Sequence, residues 1–319
     1  MTASSRVGSR DSFSEPRSNS EPATNMPGQD DHKRRTSGKF KRARFRHALF
    51  TIAPDRLSGG ALVRKHLKQE IVTKHVSLTL PGWPAHCDGM RIGHFSDFHY
   101  GDLLPLERGL EAVEILSNLS PDLVACTGDV VDLHHEGVDP LMQAIGSIDA
   151  PLGSFLVLGN HDHLDDPVAV ASIAEDSGIN VLEDRVMRVP VGDHVLNVGG
   201  IGWAKKVKQL SGMIDRLETD HVDLLLSHNP KAFIEASRRR IPLTLAGHTH
   251  GGQVAARNNT RRNLAFAHRH NAGLYWREPS ALYVTTGIGS WFPIRVHCPP
   301  EVVLIELRNG PFSASEEPA

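Results

Sequence analysis

The chain holds 19 histidines and only three cysteines among 319 residues, so any metal chemistry must use imidazole and carboxylate ligands. Residues suited to it recur in short polar turns, each following an apolar run of strand length. Phe95 leads into Ser96-Asp97-Phe98-His99-Tyr100-Gly101, Cys126 into Thr127-Gly128-Asp129, and Leu158 into Gly159-Asn160-His161-Asp162. Leu226 leads into Ser227-His228-Asn229, and Ala246 into Gly247-His248-Thr249-His250-Gly251-Gly252. Taken singly, Asp97, Asp129 or Asn160 reads as a turn former or a helix cap. In α/β sheets, however, ligands bind beyond the carboxyl ends of strands, so these tips are expected on one rim. Together, Asp97, His99, Asp129, Asn160, His228, His248 and His250 exceed the needs of a single ion. Two ions about 3.5–4 Å apart, sharing one carboxylate, would use them all. Nitrogen and oxygen donors without thiolate favour Mn, Fe or Zn. The Asp97-x-His99 and His248-x-His250 spacings are expected to put both members of a pair on one side of an extended strand end.

The elements that must carry these turns alternate. Val76, Leu78 and Leu80 interleave with Ser77 and Thr79, as in a half-buried strand ending at Pro81-Gly82. Short apolar runs follow at 91–95, 123–126, 155–158, 195–198, 222–226, 243–246, 282–284 and 302–307, each stopped by a turn signal. Helical spacing appears over 105–119, from Asp166-Pro167 to Gly178, and from Asn229-Pro230 to Arg239. This order predicts an α/β domain whose sheet is covered on both faces.

The order Asp97-x-His99-x-Gly101, Gly128-Asp129, Gly159-Asn160-His161-Asp162, a lone His228 and Gly247-His248-Thr249-His250 resembles, in full, the signature of the calcineurin-like metallophosphoesterases. The resemblance covers residues 70–308. It implies a sandwich of mixed β-sheets flanked by helices, with the site at the C-terminal strand ends. It implies one ion held by Asp97, His99, Asp129 and His250, and a second by Asp129, Asn160, His228 and His248, with Asp129 as the bridge. The implied catalytic residues are His161, which protonates or stabilises the leaving oxygen, and Asp162 as its orienting partner. The implied reaction is hydrolysis of a phosphodiester or pyrophosphate bond, with phosphomonoester hydrolysis or a non-catalytic scaffold as alternatives.

Gly273-Leu274-Tyr275, Gly287-Ile288-Gly289, Phe292-Pro293-Ile294-Arg295 and Pro300-Glu301-Val302 look like a bacterial, membrane-associated branch that includes hydrolases of UDP-diacylglucosamine. Arg295 is expected either to touch a substrate phosphate or to form a structural ion pair.

Other classes fall away. The apolar share of 39% excludes a wholly disordered or fibrous chain. Gly199-Gly200-Ile201-Gly202 lacks the third glycine of a dinucleotide fingerprint, and no GxSxG elbow is present. Cys87, Cys126 and Cys298 have no CxxC spacing and read as buried free thiols. No apolar run reaches the ~18 residues of a membrane span, and Arg34-Arg35 is followed by polar residues rather than an export-signal core. A cytoplasmic location, peripheral at the membrane, is the expectation.

Charge is unevenly divided. Residues 1–46 hold 11 Lys or Arg against 5 Asp or Glu, a net +6, and the other 273 residues hold 24 against 32, a net −8. Residues 1–46 are therefore expected to be a disordered basic tail, 47–310 the metallophosphoesterase domain, and 311–319 a disordered C-terminal tail. Lys33 to Arg46, interleaved with Phe40 and Phe45, suits an anionic membrane surface or, less well, nucleic acid; a solvated tail without a partner is the plainer alternative. His134, His135, His163, His268 and His270 are expected to be solvated loop residues.

Overall fold

The structure, a computed structural model, describes residues 37–217, 221–257, 259–265 and 268–318. It opens with helix α1 (Gly38–His47), a wide helical turn (Ala48–Ile52), α2 (Ala53–Leu57) and α3 (Ala61–Leu67). Then follow β1 (Val72–Leu80), β2 (Met90–Phe95), α4 (Leu106–Asn118), β3 (Leu123–Cys126), α5 (Asp139–Gly146), β4 (Ser154–Leu156), α6 (Pro167–Asp176) and β5 (Ile179–Val181). The second half runs β6 (Arg185–Val191), β7 (His194–Ile201), α7 (Val207–Asp215), β8 (Leu224–Ser227), α8 (Phe233–Arg238), β9 (Leu243–Ala246), β10 (Ala255–Ala256) and β11 (Asn259–Asn263). It closes with β12 (Gly273–Arg277), β13 (Ser280–Val284), β14 (Glu301–Asn309) and β15 (Ser313–Pro318).

These strands form a seven-stranded sheet in the order β15-β1-β14-β2-β3-β4-β5 and a six-stranded sheet in the order β12-β13-β9-β8-β7-β6. Strands β2 to β5 run parallel to one another in the first sheet, as do β7, β8, β9 and β13 in the second, and β14, β6 and β12 are antiparallel to β2, β7 and β13 respectively. Alternation explains the continuous apolar runs. Leu123 and Ala125 of β3 face Leu224, Leu226, Leu243 and Leu245 in the core between the sheets. Val124 and Cys126 face outward onto Val113 and Leu116 of α4 and Leu141 and Ile145 of α5. Leu225 likewise meets Leu210 and Ile214 of α7. A strand covered on both sides needs apolar residues at every position, which removes the period-two signal. The expected α/β sandwich of mixed sheets flanked by helices is the observed architecture.

Both expected tails need correction. Residues 1–36 lie outside the described residues, but 37–46 are not disordered: Ser37 Oγ accepts from Phe40 N at 3.2 Å to cap α1, and Phe40 and Ala43 are buried. Burying one Phe contributes about 2–3 kcal/mol, enough to dock a helix whose sequence lacks a long apolar stripe. At the other end, β15 pairs antiparallel with β1, from Thr79↔Ser313 to Lys74↔Pro318. Backbone ladder bonds and the stacking of Phe312 on Trp276, at 3.8 Å between ring centroids, hold this polar edge without an apolar pattern. All three cysteines are buried free thiols, as expected. Among the described residues no helix is long and apolar enough to cross a membrane.

Candidate metal centre

Five strands deliver the predicted residues. Asp97 and His99 follow β2, Asp129 follows β3, Asn160, His161 and Asp162 follow β4, His228 follows β8, and His248 and His250 follow β9. The loops are laced together: Asp97 N donates to Gly128 O at 2.8 Å, His99 N to Asp129 O at 2.9 Å, and His248 N to Asp97 Oδ2 at 2.9 Å. Glycine is required where they touch. A Cβ on Gly159 would overlap Asp129 Oδ1, and one on Gly247 would overlap Asp97 Oδ2.

The period-two expectation for the paired ligands is overturned. Asp97, His99, Asp129, His248 and His250 all have positive φ, between 50° and 72°. Both members of each pair face the centre because each backbone turns left-handed, not because the strand stays extended. Such residues cost of order 1 kcal/mol each and persist where surrounding structure over-determines them, typically at functional sites.

Two groups result, each drawing on both sheets. In the first, His99 Nε2 lies 3.0 Å from His250 Nε2, and His250 Nε2 lies 3.3 Å from Asp97 Oδ1. The second collects Asp129, His228 and His248. Asp129 Oδ2 stands between them, 3.6 Å from His99 Nε2 and 3.1 Å from His228 Nε2. Asp97 and Asp129 are buried, and among the described residues neither pairs with a lysine or arginine.

These residues fit divalent cations. His228 Nδ1 donates to Thr127 O at 2.7 Å, so the Nε2 lone pair faces the Asp129 carboxylate. Nε2 stands 3.1 Å from Asp129 Oδ2, and the buried Asn160 Oδ1 has no hydrogen-bond partner. A lone pair against a carboxylate requires a positive species between them, a proton or a metal ion.

Protonation follows the same geometry. Burial opposes charge on His228, but Asp129 beside it raises the imidazole to about 9. Burial likewise opposes charge on His161, and Asp129 and Asp132 raise it to about 9. Burial would raise Asp129, but the His228 and His161 imidazoles hold it well below the carboxylate range. Burial pushes Asp97 up. Burial and then the neighbouring His228 and His99 charges keep His248 and His250, respectively, well below the ordinary imidazole value.

Asp162 does not orient His161. Its Oδ2 accepts from Asp129 N and Gly159 N, both at 2.8 Å, and its Oδ1 from Val131 N at 3.1 Å, so it ties the β3 and β4 loops together. The partner of His161 is Asp132, which sequence reasoning missed. His161 Nδ1 donates to Asp132 O at 2.9 Å and lies 3.0 Å from Asp132 Oδ1, which also stands 3.4 Å from His99 Nδ1. The available signal was a second carboxylate three residues after Asp129 in the same turn.

Arg295 fits neither of its expected roles. It is buried, and its donors go to Ser290 Oγ and to the carbonyls of Thr286, Gly287, Gly289, Cys298 and Pro299. It thereby shapes the loop behind His250, whose Nδ1 is 3.5 Å from Nη2. The surplus histidines are not all bystanders. His268 meets His248 edge to face at 5.3 Å, His163 lines the cavity beside Asn160, and His135 Nδ1 is 2.5 Å from Asp165 Oδ2.

Residues 90–272 match the family model for calcineurin-like phosphoesterases. The chain is 27% identical over 238 residues to the uncharacterized metallophosphoesterase YkuE of Bacillus subtilis, spanning 71% of this chain and 82% of that one. It is 28% identical over 233 residues to phosphodiesterase YaeI of Escherichia coli, spanning 68% and 82% respectively. A transmembrane protein with a metallophosphoesterase domain from Danio rerio is 28% identical over 257 residues, 74% of this chain and 57% of its own length. With that match over residues that bear both ligand groups, the chain belongs to the calcineurin-like phosphoesterase family and is a metal-dependent phosphoester hydrolase.

Proposed function

We propose that the chain hydrolyses a phosphodiester or pyrophosphate bond in a nucleotide-linked or lipid-linked substrate, UDP-diacylglucosamine being one of that kind. Asp97, His99, Asp129 and His250 would hold one divalent ion, and Asp129, Asn160, His228 and His248 the other. When bound, such ions lower the pKa of water and offset charge developing on phosphoryl oxygens. His161, held by Asp132, keeps a proton at neutral pH and delivers it to the leaving oxygen.

The observation that favours a diester is the pair of cavities that share His248 and His268. One, of about 610 Å3, is ringed with cations; the other, of about 500 Å3, is lined by Phe50, Leu264, Trp291 and Phe292. A monoester needs room for one substituent, whereas these cavities offer space for two of unlike polarity. The test is metal-dependent turnover of a chromogenic diester against the matching monoester. Faster monoester turnover favours the phosphomonoesterase alternative, and no turnover of either favours a scaffold.

A peripheral membrane role is a second reading. Phe45, Leu49, Phe50 and Leu57 are exposed, Phe45 by 67% and Leu57 by 90%, beside Lys41 and Arg44. Cations with exposed apolar side chains suit an anionic lipid surface. Co-sedimentation with anionic vesicles, lost in Phe45→Asp/Leu49→Asp, is the expected result; equal binding by that variant contradicts it. Lys33 lies outside the described residues.

A further inference from the structure

Helix α1 is a wall of the cavity that opens on Asn160 and His248. Lys39, Arg42, Ala43 and Arg46 line that cavity, and their i, i+3, i+4, i+7 spacing puts them on one helix face. Lys205 and Lys231 line it as well. Some cations elsewhere pair with carboxylates, Arg108 with Glu111, Arg216 with Asp184, and Arg239 with Asp215 and Glu235. Among the described residues none of the five cations on this cavity pairs with a carboxylate.

The helix does not need these cations to stay in place. Phe40 is buried edge-on to His134 at 5.4 Å, and His47 reaches Asp102 Oδ2 at 3.0 Å and Asp132 Oδ2 at 3.4 Å. Like charges at such spacings weaken a helix, and a cleft lined by one sign of charge concentrates ions of the other sign. The cavity therefore combines excess positive charge, room for a group the size of a phosphate or larger, and direct continuity with two proposed metal ligands.

We infer that this cavity binds a further phosphate of the substrate, beyond the phosphate being cleaved, and that α1 selects substrates carrying one. This rests on the phosphoesterase reading of the neighbouring centre. The outward face of α1, with Lys41 and Arg44, is left free for other contacts.

The test uses the manganese-loaded full chain and two esters that differ by one group, thymidine 5′-(4-nitrophenyl phosphate) with and without a 3′-phosphate. The quantity read is the ratio of their kcat/KM values. Wild type is expected to favour the 3′-phosphorylated ester, and Lys39→Glu/Arg42→Glu/Arg46→Glu to lower that ratio by about 10- to 100-fold. Lys41→Glu/Arg44→Glu, a charge change of four against six and on the opposite face, should leave the ratio in place. Arg42→Gln alone should lower it about threefold, which keeps the test open if the triple variant does not fold.

The inference is overturned if wild type shows no preference, or if both multiple variants lose it equally. It is also overturned if the cavity variant loses only binding to anionic vesicles while its ratio holds, since the helix would then serve a membrane. If wild type cleaves neither ester, the phosphoesterase reading itself fails; turnover of both without preference sinks the second-phosphate site alone.

Discussion

Replacing Asp132 by Asn keeps the size of the side chain and removes the charge that holds His161. The imidazole stands at about 9 against an ordinary 6.5, a difference worth roughly 3 kcal/mol. Burial opposes that rise, and Asp129 shares in producing it with Asp132. About half assigned to Asp132, of order 1.5–2 kcal/mol, is a fall of a little over one unit in the imidazole pKa, so at pH above 9 the protonated form becomes about 10- to 30-fold scarcer, while near pH 7 it stays the main form. The assay compares a diester whose leaving group is 4-nitrophenolate, which departs without a proton, with an alkyl diester, which needs one. Near pH 9.5 the expected loss is about 10- to 30-fold for the alkyl ester and under about threefold for the aryl ester. The alkaline fall in rate should also move to lower pH, because without Asp132 the imidazole loses its proton sooner. Metal content, read by elemental analysis, should stay at the wild-type value, although Asp132 also stands 3.4 Å from His99 Nδ1. Equal losses on both esters would falsify the assignment of His161 as leaving-group acid positioned by Asp132.

Three further outcomes follow from the same contacts. Asp162→Ala strands the amides of Asp129, Val131 and Gly159; at about 1–3 kcal/mol each, thermal melting should fall by roughly 10 °C, and a shift under about 2 °C would contradict the role. With His228 at about 9 and its Nε2 taken by an ion, loading at pH 7.5 should release about one proton per chain, and at pH 10 almost none. Calorimetry in two buffers of different ionisation enthalpy reads that number, and no release at pH 7.5 would count against His228 as a ligand. Phe40→Ala removes the buried anchor of α1, so limited proteolysis should cut between α1 and β1 much faster than in wild type, while unchanged cleavage would show that the helix docks by other means.

The centre was legible because each ligand sits two to four residues beyond an apolar run. That position holds although the paired ligands reach the centre through left-handed backbone and not through strand alternation. Left-handed Asp97, His99, His248 and His250 cannot be read from residue spacing, since Asp and His tolerate positive φ without declaring it as glycine does. Asp162 and Asp132 illustrate a second limit. Asp162 is adjacent to His161 in the chain yet spends its oxygens on backbone amides, whereas Asp132, 29 residues away, reaches the imidazole because the β3 loop folds over it. The strands between the two sheets were visible as unbroken apolar runs, covered on both faces. Strand β6 was not, because its residues are mostly half-exposed, and neither was β15, an edge strand with no buried residue described. Helix α1 escaped notice because two buried residues and a histidine bridge hold it, and its cations disguised it as a solvated tail.

Elemental analysis of purified protein, wild type beside Asp129→Ala, bears most directly on a dinuclear centre bridged by one aspartate. Asp129 Oδ2 lies between the two ligand groups, so removing it should weaken both. The expected result is about two transition-metal ions per wild-type chain and well under one in the variant. No metal in the wild type, or two ions retained after the substitution, would contradict a centre built on Asp129.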